Sequence, residues 1–436
     1  MATSGARELI VIMRPQVAMR ASAGRFESAA GLNVNDLERI LRKHEGAMSL
    51  LFGNTEERVM QRSAASVPEA DAPWVDLSTF YKITADDKKL DRLCEELMAQ
   101  ELVESAYVKP PAELPTAADQ LNTMAPSDVV PPPATPDLTA SQIYLNPSPA
   151  GINARWAWTQ AGGTGSGISI IDIEGNWRFT HEDLGQTQGG VVGGTPIDGL
   201  NWRNHGTAVL GEYSGDRNAI GITGIAPDAI AMAISHGSIG SAAAINLAAS
   251  RLRAGDIILL EMHRPGPRFN FAVRDDQRGY IAVEWWPDDF AAILNATRAG
   301  IIVVEAAGNG AENLDDALYQ TRPSGFPTSW TNPFRRSNRD SGAIVVGAGS
   351  PPPGTHGRDH GPDRSRLDFS NWGALIDAQG WGREVTTCGY GNLQGGTNED
   401  LWYTDTFSGT SSASPIIVGA IASLQGMARA PVPGHP

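Results

Sequence analysis

Apolar positions along the chain fall into two textures. Up to about residue 110, short alternating runs are mixed with helical spacing. Residues 8–13 (ELIVIM) read as a strand. Leu37, Ile40 and Leu41 repeat at helical spacing and, with Asn35 and Glu38 at a helix start, predict a helix over 35–44. Residues 48–52 and 78–83 read as strands, 53–76 as a loop, 86–100 as an amphipathic helix with Thr84 at its cap, and 103–109 as a fourth strand. The order β-α-β-β-α-β predicts a small split βαβ unit. Residues 110–140 carry eight prolines at 110, 111, 115, 126, 131, 132, 133 and 136, which excludes a regular element and predicts a linker open to nicking. From about 141 the runs become continuously apolar: 167–171, 230–234, 256–260, 301–304 and 343–346. Strands of that kind are buried on both faces, and the helical stretches between them predict a parallel sheet in an α/β domain.

The chain has 436 residues, long enough for two domains. Its hydrophobic fraction of 41% and charged fraction of 19% are those of a globular protein. A net charge of −15 argues against binding to a nucleic-acid backbone or an anionic membrane. No run of about eighteen apolar residues is present, so no membrane span is expected. The N-terminus lacks the pattern of a signal peptide, which makes a cytoplasmic location the default expectation, with leaderless export open. The two cysteines, Cys94 and Cys388, are read as structural thiols.

Candidate chemistry gathers in the second texture. Asp172 follows an apolar strand, where a carboxylate needs a donor. His205 opens HGTAVLGEYSG, whose small residues suit a helix packed close to a sheet. Ser411 lies in Gly409-Thr410-Ser411-Ser412-Ala413-Ser414-Pro415 at the start of a buried helix, whose free N–H groups can stabilise an oxyanion. Asn309 follows IIVVEAAG, between Gly308 and Gly310. Each residue has an ordinary alternative as a helix cap or turn residue; the four together are specific.

With Ile171-Asp172, His181-Glu182-Asp183-Leu184, His205-Gly206-Thr207, Ala306 to Asn309 and Gly409 to Pro415 in this order, segment 141–425 resembles the catalytic domain of subtilisin-like serine proteases (subtilases). The resemblance implies a serine endopeptidase on a three-layer α/β parallel-sheet domain. Ser411 would be nucleophile, His205 general base, Asp172 the orienting acid, and Asn309 with the Ser411 N–H the oxyanion donors. The family's Asp-Thr/Ser-Gly is here Asp172-Ile173-Glu174-Gly175. The resemblance also implies a substrate groove at Gly237, Ser238, Glu261, Met262, His263, Ala307 and Gly308. Glu261 either faces the cleft and favours basic residues near the cut, or pairs with Arg264 or points into a hydrogen-bonded corner. Residues 1–110 resemble the family's small α+β (ferredoxin-like) propeptide, which implies an autoprocessed zymogen whose own N-terminal domain is an intramolecular inhibitor. Domains are therefore expected at 1–110 and 141–436, with maturation within roughly 108–140. The chain reads as short after the serine helix, which keeps a weakly active or inactive binding partner of the same fold as the alternative.

No cofactor is required for this chemistry. Structural calcium is open but unplaced, with Asn313, Asp315 and Asp316 a weak candidate patch and no metal site assigned. His356, Asp359, His360 and Asp363 read as a solvated loop, and Glu284, beside Trp285 and Trp286, lacks a carboxylate partner for glycosidase chemistry. Protein or peptide is the expected substrate, and activity is expected to rise through about pH 6.5 as His205 loses its proton.

Overall fold

The computed structural model describes residues 6–431 except 23–24, 54–74, 116–128 and 187. The sequence readings for 53–76 and most of 116–128 therefore lie largely outside the described residues. The first part of the chain contains β1 (Glu8–Met13), the hairpin β2 (Met19–Ser22) and β3 (Arg25–Ser28), α1 (Asn35–Lys43), β4 (Ala47–Leu50), β5 (Phe80–Thr84), α2 (Leu90–Met98) and β6 (Val103–Lys109). Four of these strands form an antiparallel sheet in the order β4-β5-β1-β6. The β2–β3 hairpin is an addition that the sequence pattern does not announce. At the second helix, Asp86 rather than Thr84 provides the cap, its side chain accepting from the Lys88 N–H.

Strand β1 explains how this sheet is covered. Alternate residues of a strand face opposite sides. Leu9, Val11 and Met13 pack with Leu37, Ile40, Leu90 and Leu93 of α1 and α2. Ile10 and Ile12 join a second core containing residues from the other half of the chain. The sheet is thus apolar on both faces, and its outer face is closed only by the rest of the protein.

That second half contains α3 (Ala154–Ala157), β7 (Ser169–Glu174), β8 (Gln188–Gly193), α4 (Leu200–Ser214), β9 (Ile230–Ser235), α5 (Ser241–Ala249), β10 (Ile257–Leu260), a hairpin of β11 (His263–Pro265) and β12 (Tyr280–Ala282), and α6 (Pro287–Arg298). It continues through β13 (Ile302–Ala306), β14 (Ile344–Gly349), β15 (Ala378–Trp381), the antiparallel pair β16 (Val385–Cys388) and β17 (Tyr403–Phe407), and α7 (Thr410–Arg429). Seven strands form a parallel sheet in the order β15-β14-β13-β10-β7-β9-β8. All five apolar runs singled out above are strands of it. Residues of α5 and α6 pack on one face, and residues of α4 and α7 join the core on the other.

The chain direction reverses around β7, since β9 and β8 lie on one side and β10 on the other. Side chains at the carboxyl ends of these strands converge there, as in other open α/β sheets. Helix α7 starts at Thr410, and Pro415 lies inside it. Both cysteines are free thiols, and burial raises their pKa, that of Cys94 to about 12.

Candidate active site

Glu174 is the last residue of β7, His205 lies in α4, and Ser411 is the second residue of α7. His205 Nδ1 and Glu174 Oε2 are 2.7 Å apart, and both side chains are fully buried. A Cβ on residue 206 would stand 2.3 Å from Glu174 Oε1 and 2.3 Å from the Asn176 carbonyl oxygen. Only glycine at 206 lets α4 lie this close to the carboxyl end of β7.

This contact corrects the reading of Asp172. Asp172 is not the partner of His205: its Oδ2 accepts from Trp177 Nε1 at 2.6 Å, and its Oδ1 has no hydrogen-bond partner among the described residues. Asp172 and Glu174 share a face of β7 because strand side chains alternate with a period of two. Two residues further along amounts to about 6.6 Å, which carries Glu174 to the helix and leaves Asp172 within the sheet. Burial pushes the Asp172 carboxyl well above its ordinary range, and the nearby Glu174 raises it further. Burial also raises Glu174 and lowers His205 to about 3.

On the other side of the ring, His205 Nε2 has no hydrogen-bond partner among the described residues. The expected His205–Ser411 hydrogen bond is absent. Ser411 Oγ instead donates to the carbonyl oxygen of Pro115 at 2.9 Å. Residues 110–115 thus lie as a strap in the cleft. Glu113 N–H donates to the His263 oxygen at 3.0 Å and His263 N–H to the Glu113 oxygen at 3.1 Å, an antiparallel bridge.

Asn309 follows β13. Its Oδ1 accepts from both the N–H and the hydroxyl of Thr410, each at 2.9 Å, which turns the NH2 group outward. A Cβ at Gly409 would lie 3.2 Å from Asn309 Nδ2 and 2.1 Å from the Pro115 oxygen. The amide and the strap carbonyl therefore share the space that glycine leaves open at the start of α7.

The groove residues divide. His263 pairs with the strap, and its Nδ1 accepts from the Asn309 N–H at 3.2 Å. Gly237 and Ser238 border a crevice shared with Ala112 of the strap and Leu51 of the first half. Gly308 N–H donates to Thr410 Oγ1 at 3.2 Å, the Ala307 oxygen accepts from Asn371 Nδ2 at 2.7 Å, and Met262 is core. Glu261 does not pair with Arg264. It is fully buried and accepts from Ser414 Oγ, with burial and the neighbouring Asp172 raising its pKa well above the ordinary range. A carboxyl so enclosed is not placed to read a basic substrate residue.

Arg264 serves a different cluster, which the sequence did not announce. It bonds to Glu8 Oε1 at 2.5 Å, to Ser241 Oγ at 2.8 Å and to the Pro110 oxygen. Lys109 Nζ lies 2.5 Å from Asp288 Oδ2 and 3.1 Å from Asp289 Oδ2. Both cations are fully buried, so these pairs join the first sheet to β11 and α6 by charges that water does not screen.

Among the described residues, no three His, Cys, Asp or Glu side chains converge as a metal site. In the candidate calcium patch, Asn313 Oδ1 accepts from the Asp315 N–H, Asp315 Oδ2 from Ala374 N–H, and Asp316 binds Arg268 at 2.8 Å. Those oxygens are committed to protein donors and do not fit a calcium cage. His360 and Arg358 converge on Glu384 at 2.7 and 2.5 Å. Glu284 does have a carboxyl neighbour, Glu305, whose Oε1 accepts from the Glu284 N–H at 3.1 Å, but both are buried in the core.

Comparison with known proteins agrees with this geometry. The subtilase family model matches residues 186–430, more than half of the chain. Alkaline protease of Alkalihalobacillus alcalophilus is 27% identical over 270 residues, covering 60% of this chain and 55% of its own. Subtilisin Savinase of Lederbergia lenta is also 27% identical over 270 residues, covering 60% and 77%. Subtilisin-like protease 6 of Arthroderma gypseum is 42% identical over 136 residues, 31% of this chain and 24% of its own. The chain thus spans about half the length of the first of these relatives. In fold it is similar to fervidolysin from Fervidobacterium pennivorans, a keratinolytic enzyme related to subtilisin, with a TM-score of 0.53 and 17% identity over 97% of this chain and 55% of that one. With the parallel sheet, the histidine at the carboxyl end of β7 and the serine at the start of α7 in place, the chain belongs to the subtilase family.

Proposed function

We propose that this chain is a serine endopeptidase made as an autoprocessed zymogen, with Glu174 in the role first assigned to Asp172. The observation that carries the reading is the 2.7 Å contact between Glu174 and His205, with Ser411 Oγ facing a main-chain carbonyl. Ser411 attacks the substrate carbonyl, and its proton passes to His205 Nε2. Glu174 holds the imidazole with Nδ1–H toward the carboxyl, so that Nε2 can accept. Asn309 Nδ2 and the Ser411 N–H at the positive end of α7 stabilise the oxyanion. The imidazole then protonates the leaving amine, and water releases the acyl group from Ser411. No cofactor enters these steps.

Residues 1–110 act in this reading as the propeptide of a peptidase domain at 141–436, and the strap at 110–115 blocks the cleft until it is cut. Buried Lys109 and Arg264 and the apolar contacts of Ile10 and Ile12 support a unit that stays docked after cleavage. The test is fluorophosphonate labelling of purified protein after incubation. Labelling that disappears in Ser411→Ala supports the reading; no labelling and no casein digestion in wild type refutes it.

A further inference from the structure

We propose that the cleft cuts on the carboxyl side of proline in a Glu-Leu-Pro sequence, and that the bond following Pro115 is its first substrate. The inference rests on the peptidase reading above and names its substrate class. The strap lies in a substrate register. Glu113 pairs with His263, and continuing that antiparallel register sets Pro115 opposite Glu261, with its carbonyl at the nucleophile.

At that position an ordinary residue would donate its N–H to the cleft edge. Proline has no N–H to donate. The β11–β12 hairpin compensates from the other side of the same peptide unit: Gln277 Nε2 donates to the Leu114 oxygen at 2.8 Å. Gln277 Oε1 lies 3.4 Å from Asn309 Nδ2, so one side chain spans the Leu–Pro amide and the oxyanion donor. The site therefore grips the tertiary amide by its acceptor, the one polar atom it has.

The same hairpin reads the residue two positions earlier. Tyr280 accepts from the Arg274 N–H at 3.0 Å and donates to Glu113 Oε2, also at 3.0 Å. Burial raises the Glu113 pKa, with the Tyr280 hydrogen bond opposing. Glutamate is thus met by a buried donor and not by a cation.

In the self-cleavage step, Ser411 Oγ bonds to the Pro115 carbonyl carbon while its proton goes to His205. The bond to the Thr116 nitrogen breaks, and that nitrogen takes the proton. Water then hydrolyses the prolyl ester, freeing the Pro115 carboxylate and restoring Ser411.

The test uses the full chain. Incubation followed by intact mass and N-terminal sequencing is expected to give a new N-terminus at Thr116, absent in Ser411→Ala. The internally quenched peptide Ala-Glu-Leu-Pro-Thr-Ala is expected to be cut after proline about tenfold faster than its Leu-Ala counterpart. Gln277→Ala should cut the ratio between the two peptides by about tenfold. An enzyme that labels with fluorophosphonate and digests casein, yet starts at another residue or leaves the prolyl peptide intact, overturns the proline assignment alone. Absence of labelling and of casein digestion overturns it together with the peptidase reading.

Discussion

Glu174 Oε2 meets His205 Nδ1 at 2.7 Å, while Asp172, two residues earlier on the same strand face, is held by Trp177. The two carboxyls can therefore be separated by mutation. Glu174→Gln keeps the size of the side chain but can present its amide NH2 to the imidazole, which favours the wrong tautomer. It is expected to lower kcat by roughly 10³–10⁴-fold. Asp172→Asn keeps a partner for Trp177 and should leave kcat within about tenfold of wild type. Steady-state kinetics on one peptide substrate compares them. A larger loss at Asp172 than at Glu174 would restore the family's usual aspartate to the triad.

The pH dependence of stability follows from which groups are buried uncharged. Burial lowers His181 and His236 to about 4 and His263 to about 3. Each folded pKa lies below the unfolded value, so these groups contribute stability that is full above about pH 6.5 and is lost as pH falls toward 4. Burial raises Asp172, Glu212 and Glu261 well above their ordinary range and Asp183 to about 7. Their folded pKa values lie above the unfolded ones, so their contribution is full at low pH and is lost as pH rises from about 4 upward. The two sets oppose each other between about pH 4.5 and 6.5, and only the carboxyl loss remains above that range. Each unbalanced group tilts stability by about 1.4 kcal/mol per pH unit. Thermal unfolding of full-length Ser411→Ala is expected to give a higher Tm at pH 5.5 than at pH 8.5. A Tm that climbs steadily to pH 8.5 would mean that these carboxyls are ionised in the folded protein.

The cluster around Lys109 makes a separate prediction. Lys109 is fully buried against Asp288 and Asp289, both themselves buried. Its loss leaves two buried carboxyls facing each other, with Arg264 Nε, 3.8 Å from Asp289 Oδ2, as the remaining cation. Lys109→Ala in the Ser411→Ala background is expected to destabilise the protein by about 3–5 kcal/mol in denaturant unfolding. Lys109→Met, which refills the volume but not the charge, should recover little of that unless Asp288→Asn and Asp289→Asn are added. Equal stability of Lys109→Met and the parent would show that packing, not pairing, holds this corner.

What was legible in the sequence follows physical locality. The five continuous apolar runs identified the sheet because burial on both faces leaves no polar position in the strand. Ser411 and Asn309 were legible because glycine and small residues must surround them, at Gly409 and Gly308. Glu174 was missed because alternation places it on the same face as Asp172, and only the position of α4 decides which carboxyl reaches the imidazole. The adjacent Gly175 was a usable signal: a Cβ there would lie 2.1 Å from the Trp202 ring, so Glu174-Gly175 marks the crowded end of the strand. The Glu8–Arg264 pair spans 256 positions and the Ser411–Pro115 contact 296. No local pattern encodes such partners. Arg264, three positions after Glu261, reads as a pairing partner in the sequence, yet Glu261 is bonded to Ser414 and Arg264 to Glu8.

Gly409 tests the cleft without altering a reacting group. Its φ of +114° with ψ of −179° lies in a region open essentially to glycine alone. The strain of an alanine there is about 1–3 kcal/mol, which a folded domain can tolerate. The steric conflict is more severe, because the new methyl would stand 2.1 Å from the carbonyl oxygen facing Ser411 and 3.2 Å from Asn309 Nδ2. It would occupy the place where the oxyanion forms. Gly409→Ala is therefore expected to fold, as judged by circular dichroism, and to lose at least about a hundredfold in both self-cleavage and casein digestion. Since Ser411 and His205 remain, a small fluorophosphonate should still label the variant, though slowly. Wild-type rates on casein would mean that a substrate carbonyl does not enter beside Gly409, and that the strap at 110–115 lies in the cleft in a way no substrate follows.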